Sequence, residues 1–327
     1  MYGRAKKSYQ LYNQEEKMFI SEVKESDYVE EFLRVVSVSE KTKKNGDPYK
    51  VVIVGDKTGT LQWNVWDKPD DLKVNEGDIL FIKGSITVWN GTMQIAVEDI
   101  RVPEKDEIDM SKFIKAISND QKEDYKSELK AIINDLESPW KQVVIKVFSQ
   151  QEVKDKFFEC PASIYYHENF LGGLLEHTMR VTQGVIARLQ SQKNVDKDFA
   201  ISLAILHDIG KIREYDIEKF VHSEEGIFKR HVFLGAAYLQ ELMSNDVGCG
   251  LTKRQQDLLV SGTLSSHGTK EFGSPVSPLS KEAYIVHSED SICTKLAVWD
   301  EIIEDSKRDF EFDKFSNHKI FTGKAPE

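Results

Sequence analysis

Histidine and aspartate residues recur in the second half of the chain in settings that suit metal binding. His207 and Asp208 are adjacent in LAILHDIGKIRE, directly after an apolar run. Burying a carboxylate without a cation or several hydrogen-bond donors is costly, so a purely structural role accounts poorly for this pair. Imidazole and carboxylate groups, which hold Zn, Mn, Fe or Co, recur at His177, His231, His267 and Asp290.

The other histidines in this half have less suggestive settings. A lone histidine on a helix is more often a solvated or satisfied core residue than a metal ligand, and we assign His222, His318 and His287 to that class. His287 precedes Asp290 by three residues, so the two share a helix face and His287 could orient a ligand.

Composition bounds the fold and the compartment. The chain has 327 residues, of which 40% are hydrophobic and 30% charged, which favours two globular domains. A net charge of −11 argues against coating nucleic acid through bulk charge, although a local basic patch remains compatible with it. We find neither a membrane span nor a secretory signal. The three cysteines include no CxxC pair, so we expect no disulfide framework, no thiolate zinc site and a cytoplasmic location.

The first third of the chain has the texture of a small β-barrel. Runs rich in valine, isoleucine, tryptophan and threonine alternate with turn signals between Tyr28 and Pro103, and Asn90-Gly91 between two such runs is a strong hairpin signal. Five short strands in this length suit a closed barrel. The runs are VEEFLRVVSVSEK, YKVVIVGD, GTLQWNVWD, DILFIKGSITVWN and TMQIAVEDIRV.

One edge of this barrel could bind a nucleic-acid strand. Alternation along LQWNVW places Trp63 in the core and Trp66 on the outside. Exposed aromatics beside lysines are the elements with which such barrels bind single strands. The candidate binding residues are Lys41, Lys43, Lys44, Tyr49 and Trp66. The lysine cluster is equally well explained as the solvated tip of a hairpin. The barrel could instead mediate assembly into a homo-oligomer.

Helical periodicity follows a charged linker, VPEKDEIDMSK, and continues through most of the remaining chain. Asp196 and Asp198 are candidate N-caps for the helix DFAISLAIL, and Gly210 is placed to end it, which would let His207 and Asp208 point to one side. Further helical segments are SKFIKAI, SELKAIINDL, WKQVVIKVF and LLEHTMRVTQGVIARLQ.

The order of these motifs resembles the HD phosphohydrolase superfamily, whose pattern H…HD…D matches His177, His207-Asp208 and Asp290. GGLLEHT, ILHDIGKIREY, HVFLG and SHG…FGSPVSP more narrowly resemble the YhaM type of 3′→5′ exoribonuclease, which also carries an N-terminal OB-fold. Residues 160–300 carry the closest resemblance.

This resemblance implies one or two divalent metal ions, Mn²⁺ or else Co²⁺, Fe²⁺, Mg²⁺ or Zn²⁺. Asp208 would lie on or between the ions, with His177, His207 and Asp290 completing one site and His231 and His267 the other. Asp208 and Lys211 are the catalytic candidates. Lys211 could contact a phosphate oxygen, or could be a solvated lysine at a helix end. Ser266 stands where the family usually has a histidine, next to His267.

The resulting interpretation is an α+β multidomain chain in which a five-stranded OB-type barrel precedes an all-α HD domain. Its segments are an arm at 1–27, the OB-fold at 28–105, a helical linker at 106–158, the HD domain at 159–310 and a tail at 311–327. The expected activity is metal-dependent 3′→5′ shortening of single-stranded RNA, with DNA as a further substrate. An HD-type nucleotide phosphohydrolase and a non-catalytic single-strand binder are the alternatives.

Overall fold

The computed structural model describes residues 19–89, 91–104, 107–164, 168–245, 247–314 and 316–324. Most of the predicted arm at 1–27 therefore lies outside the described residues. The chain divides between Ile114 and Lys115 into two compact units, each with its own internal contacts. A barrel forms the first unit and helices dominate the second.

Five strands close the first unit into a barrel in the order β1-β2-β3-β5-β4, which confirms the predicted OB-type topology. Neighbouring strands are antiparallel except at the closure between β3 and β5, where Gln62 pairs in parallel with Gln94. The strands are β1 (Tyr28–Thr42), β2 (Pro48–Asp56), β3 (Gly59–Val65), β4 (Ile79–Trp89) and β5 (Thr92–Arg101).

Period-two alternation fills the barrel interior with branched aliphatic side chains, because successive residues of a strand face opposite sides. Trp63 is 8% exposed and Trp66 is 50% exposed, so the predicted division between core and surface is confirmed. The interior includes Val35, Val52, Val54, Leu61, Ile82 and Ile86.

The second unit contains nine helices within the described residues, together with two short hairpins. The hairpins pair β6 (Tyr215–Asp216) with β7 (Val221–His222), and β8 (Phe310–Asp313) with β9 (His318–Phe321). The helices are α1 (Asn119–Asp135), α2 (Trp140–Ser149), α3 (Gln151–Lys156), α4 (Gly173–Leu189), α5 (Lys197–Leu206), α6 (Lys211–Glu214), α7 (Glu224–Asn245), α8 (Lys253–Leu264) and α9 (Lys281–Asp305).

The segment SKFIKAI is not the α-helix that its periodicity predicts. Only a single 3₁₀ turn forms there, at Met110–Lys112. Further along, Ile117 donates its backbone N–H to the Leu171 carbonyl at 3.0 Å, so the backbone pairs with a distant segment rather than with itself. The helix begins afresh at α1, where the Ser118 side chain accepts a hydrogen bond from the Gln121 backbone N–H.

Gly210 does not end α5 in the way that its position predicts. Of the two predicted N-caps, Asp196 is confirmed, since it accepts a hydrogen bond from the Phe199 N–H, whereas Asp198 lies within the first turn of α5. The helix already ends at Leu206. The backbone of Gly210 has a right-handed helical conformation, with φ −66°, rather than the left-handed one typical of a glycine that ends a helix. Its lack of a side chain matters for packing, because a Cβ there would lie 2.1 Å from the His231 carbonyl oxygen. This glycine therefore lets the segment after α5 approach α7 closely.

The predicted tail at 311–327 contains ordered structure. The hairpin β8–β9 buries Ile320, and the buried Asp313 accepts a hydrogen bond from Trp299 Nε1 on α9 at 3.0 Å. No helix among the described residues has the length and apolar character needed to cross a bilayer.

Candidate metal centre

Three helices and the ends of two others bring all six predicted metal ligands together. His177 lies on α4, His231 on α7 and Asp290 on α9, while His207 and Asp208 directly follow α5 and His267 follows α8. The six residues form two groups, and within each group the ligand atoms lie within 4.8 Å of one another. One group is His177, His207 and Asp290, and the other is Asp208, His231 and His267.

Asp208 faces both groups. Its Oδ2 lies 3.5 Å from His177 Nε2 and 3.4 Å from His207 Nε2. Its other oxygen, Oδ1, lies 3.7 Å from His231 Nε2. A carboxylate in this position can contribute to two neighbouring cation sites at once.

Local backbone structure explains how adjacent residues face one centre. After α5 ends at Leu206, His207 keeps right-handed helical torsion angles (φ −55°, ψ −35°), and the turn that follows carries Asp208, whose Oδ2 lies 3.4 Å from His207 Nε2. On the opposite wall, α7 is interrupted at Arg230, whose φ of 59° and ψ of 156° are not helical. Such a conformation costs a non-glycine residue about 1–3 kcal/mol and is typical of functional sites. His231 follows this interruption directly.

All four histidines direct Nε2 inward, because each Nδ1 is held by an acceptor. Carbonyls and ionised carboxylates only accept hydrogen bonds, so each Nδ1 carries a ring proton, and each Nε2 faces the centre, where it can hold a cation or a second proton. The Nδ1 partners are Glu168 Oε2 for His177 at 3.0 Å, the Ala204 carbonyl for His207 at 2.7 Å, Glu214 Oε2 for His231 at 2.6 Å and the Phe272 carbonyl for His267 at 2.9 Å.

The inward-facing nitrogen and oxygen atoms of the centre favour a bound cation. His231 Nε2 and His267 Nε2 lie 3.1 Å apart, so two lone pairs face each other unless a proton or a metal ion lies between them. Asp208 Oδ1 and His207 Nε2 are buried and form no hydrogen bond to another residue that the structure describes. Nitrogen and carboxylate-oxygen donors of this kind suit divalent transition metals. The residues present therefore fit a metal site.

Carboxylates dominate the electrostatics of the first group. Burial lowers the pKa of His177, but the Glu168 carboxylate and the hydrogen bond with Asp290 raise it to about 10. Burial raises the pKa of Asp290, but the hydrogen bond from His177 lowers it to about 2. The centre therefore holds positive charge strongly, as a proton on His177 or as a cation in its place.

Lys211 is the counter-charge of Asp208. Its Nζ lies 2.6 Å from Asp208 Oδ2, and the residue is only 7% exposed. Burial lowers the pKa of Lys211, but the Asp208 carboxylate raises it above the usual value for lysine. Burial likewise raises the pKa of Asp208, but the Lys211 ammonium holds it well below the usual value for aspartate. The alternative interpretation, that Lys211 is a solvated lysine at a helix end, is therefore wrong, because its ammonium lies inside the centre.

Two carboxylates that orient the ligands were missed from the sequence. Glu168 holds His177 and Glu214 holds His231. Glu168 lies in a loop nine residues before His177, and no helical or strand period links the two. An acceptor for each ligating imidazole is expected on chemical grounds, but only the tertiary structure identifies it.

The other three histidines that the structure describes lie outside both groups. His287 donates from Nδ1 to the Ser266 carbonyl at 3.0 Å, and thereby supports the backbone next to His267. His222 is 4.0 Å from Glu214, and His318 lies in the β8–β9 hairpin. The buried Ser266 Oγ has no hydrogen-bond partner among the described residues.

Replacing Glu214 by glutamine tests its orienting role. The amide keeps the volume but loses the charge, so His231 is held less firmly and we expect metal affinity to fall about tenfold. Titration calorimetry with Mn²⁺ on the metal-free protein measures this. Glu225→Gln, on the exposed first turn of α7, is the matched control. Unchanged Mn²⁺ affinity in Glu214→Gln would show that His231 needs no anchor.

The barrel gathers most of its predicted binding residues on one edge. Tyr49 and Trp66 stack with ring centroids 4.5 Å apart, and Lys43 Nζ donates to the Trp66 carbonyl at 2.7 Å. Lys41 pairs with Tyr49 across the β1–β2 ladder, and Lys44 follows β1 as an exposed turn residue. The five binding residues predicted from the sequence do not include Trp89, which is 69% exposed at the end of β4.

Comparison with known proteins supports this division into two domains. Residues 174–294 match the HD domain family, and residues 34–103 match a family described as an OB-fold nucleic acid binding domain. The chain is 27% identical over 285 residues to the 3′-5′ exoribonuclease YhaM of Geobacillus sp. (strain WCH70), covering 86% of both proteins.

Among solved structures, a domain of replication protein A from Methanococcus maripaludis is 26% identical, at a TM-score of 0.24, and covers 27% of this chain and 96% of that one. The second OB-fold domain of replication protein A from the same organism is 27% identical, at a TM-score of 0.21, and covers 26% and 93%. HD domains bind divalent metal ions, in agreement with the donor set described above. The chain thus carries an OB-fold nucleic acid binding domain followed by an HD domain, and it is a homologue of the exoribonuclease YhaM.

Proposed function

We propose that this protein is a metal-dependent 3′→5′ exoribonuclease that shortens single-stranded RNA, and single-stranded DNA as a second substrate. The observation that carries the proposal is the pair of histidine–carboxylate groups that share Asp208 in the HD domain. Similarity to an exoribonuclease along 86% of the chain supports the reaction type.

In this proposal His177, His207 and Asp290 hold one ion, His231 and His267 hold the other, and Asp208 contributes to both. Divalent ions supply Lewis acidity towards a phosphodiester and lower the pKa of water, which is the chemistry that hydrolysis requires. We propose Mn²⁺ as the physiological ion, with Co²⁺, Fe²⁺, Mg²⁺ and Zn²⁺ to be compared in the same assay.

The chain's own residues position these groups. Glu168 and Glu214 fix two imidazole rings through Nδ1, so Nε2 of each ring stays available to the centre. Lys211 balances the charge of Asp208 within the centre, and we propose that its ammonium also contacts a phosphate oxygen of the substrate. Since His267 is part-exposed whereas His177 and His207 are fully buried, the substrate approaches from the side of the second group.

The barrel supplies strand binding in this proposal. The stacked Tyr49 and Trp66 offer apolar faces to bases, and the neighbouring lysines offer charge to the phosphate backbone. The three free cysteines suit a cytoplasmic enzyme.

An exposed apolar surface on the β8–β9 hairpin favours a homo-oligomer. It consists of Phe310, Phe312 and Phe321. Sedimentation of the full chain would detect the oligomer.

One assay separates this function from its two alternatives. The full-length protein is incubated with a 5′-labelled single-stranded oligoribonucleotide and Mn²⁺. A ladder of progressively shorter labelled products supports the exoribonuclease. Turnover of free nucleotides without shortening would support a nucleotide phosphohydrolase, and a mobility shift without cleavage would support a non-catalytic binder.

The double variant Tyr49→Ala/Trp66→Ala tests the role of the barrel. Each lost stacking contact is worth about 1–3 kcal/mol, so we expect KM for a long oligoribonucleotide to rise at least about tenfold. Because the substituted residues are outside the metal centre, kcat should stay within about twofold. Phe312→Ala removes a comparably exposed aromatic elsewhere and is the control. An unchanged KM in the double variant would show that strands bind by another surface.

A further inference from the structure

The loop after His267 is closed on itself and attached to His267 at two points. The His267 backbone N–H donates to Ser274 Oγ at 3.0 Å, and His267 Nδ1 donates to the Phe272 carbonyl at 2.9 Å. Within the loop, the Ser274 N–H donates to the Thr269 carbonyl at 3.0 Å, and Ser274 is only 1% exposed. The backbone that carries Phe272 is therefore fixed relative to the metal centre.

The Phe272 side chain is 71% exposed on this fixed loop. Single exposed aromatics are common on protein surfaces, but here the same residue supplies the acceptor that orients a metal-ligand candidate. Standard covalent dimensions keep its ring within about 13 Å of His267 Nε2. An exposed apolar ring within this distance of the part-exposed side of the centre is a candidate to contact the nucleotide being removed.

We propose that Phe272 is a positioning residue whose ring stacks on the base of the 3′-terminal nucleotide of the substrate strand. This inference rests on the proposed exonuclease function and adds to it the way in which the strand end is held. Every nucleobase has a π-face, so a single aromatic platform accepts all four bases. The ring orients the terminal nucleotide and thereby aligns the adjacent phosphodiester with the centre, which raises the rate without taking part in the chemistry.

The test compares two RNA substrates that differ only in the terminal base. One is an oligoribonucleotide with an ordinary 3′-terminal nucleotide, and the other carries an abasic 3′-terminal nucleotide. We expect the wild-type protein to remove the ordinary nucleotide about tenfold faster in kcat/KM. Phe272→Ala should lose about tenfold on the ordinary substrate only, so the two substrates become equal, and Phe272→Trp should restore the preference.

Two controls keep the result specific. Phe310→Ala, which removes a phenylalanine of similar exposure from the C-terminal hairpin, should leave the preference unchanged. Metal content per chain, measured by elemental analysis, should be the same in all variants, because the Phe272 carbonyl that holds His267 belongs to the backbone. A loss of metal in Phe272→Ala would overturn the proposal in favour of a role in loop folding.

The failure of this inference is distinguishable from failure of the proposed function. If the wild-type protein shortens RNA but Phe272→Ala acts on both substrates at wild-type rates, or loses rate equally on both, the stacking role is wrong. If the wild-type protein shortens neither substrate, the exonuclease function is wrong and the inference falls with it.

Discussion

We expect Asp208→Asn to abolish RNA shortening by the full-length protein, with a loss of at least about 10³-fold, because the proposed two-ion centre depends on the carboxylate that faces both ligand groups. The amide keeps the size of the side chain but removes the charge that faces His177, His207 and His231. We expect metal content to fall in the same variant, so elemental analysis and the labelled-RNA assay should change together. Asp257→Asn, on the exposed face of α8, is the control.

The neighbouring lysine determines how this experiment must be designed. Removing the Asp208 charge leaves the buried Lys211 ammonium without its partner, and an unpaired buried charge costs about 3–5 kcal/mol. The double variant Asp208→Asn/Lys211→Met removes both charges, so we expect it to recover thermal stability but not activity. Wild-type cleavage by a folded Asp208→Asn protein would contradict the assignment of Asp208.

We expect His267→Ala to lower bound metal by about one ion per chain and to reduce the rate by about 10²-fold, because it removes a ligand of one of the two proposed cation sites. The reason is geometric, since His267 Nε2 faces His231 Nε2 at 3.1 Å and both rings are fixed through Nδ1. Metal stoichiometry is measured beside the rate after equilibration with Mn²⁺.

A histidine outside the centre provides the comparison. His318→Ala, in the C-terminal hairpin, should change neither metal content nor rate. Equal metal content and equal rate in wild type and His267→Ala would leave one metal site, built from His177, His207, Asp208 and Asp290. A drop in both would place His267 among the metal ligands.

The metal-ligand candidates were predictable because their chemistry is visible in residue type. A histidine beside an aspartate after an apolar helix, such as His207-Asp208, has few structural explanations, and the barrel strands carry their own alternation. The structure brings these residues together in the two groups that the resemblance to the HD family implies. Trp63 and Trp66 were assigned correctly for the same reason, since strand period alone separates their faces.

What the sequence did not predict depends on tertiary contacts. Glu168 and Glu214 hold imidazoles across the fold, and neither lies at a spacing that would link it to its histidine. Gly210 was interpreted as a helix end, but it is a glycine because the carbonyl of His231 passes where its side chain would be. The segment around Ile117 has helical periodicity, yet its backbone pairs with Leu171 instead.

The most direct test of the central claim is RNA shortening by the full-length protein after removal of its metal. The protein is stripped with a chelator, dialysed, and assayed on a 5′-labelled single-stranded oligoribonucleotide while Mn²⁺ is added stepwise. We expect no products without metal, and a ladder receding from the 3′ end as Mn²⁺ is bound, with the rate levelling off near two ions per chain. Shortening at the full rate by the metal-free protein, or no shortening at any Mn²⁺ concentration, would contradict the account.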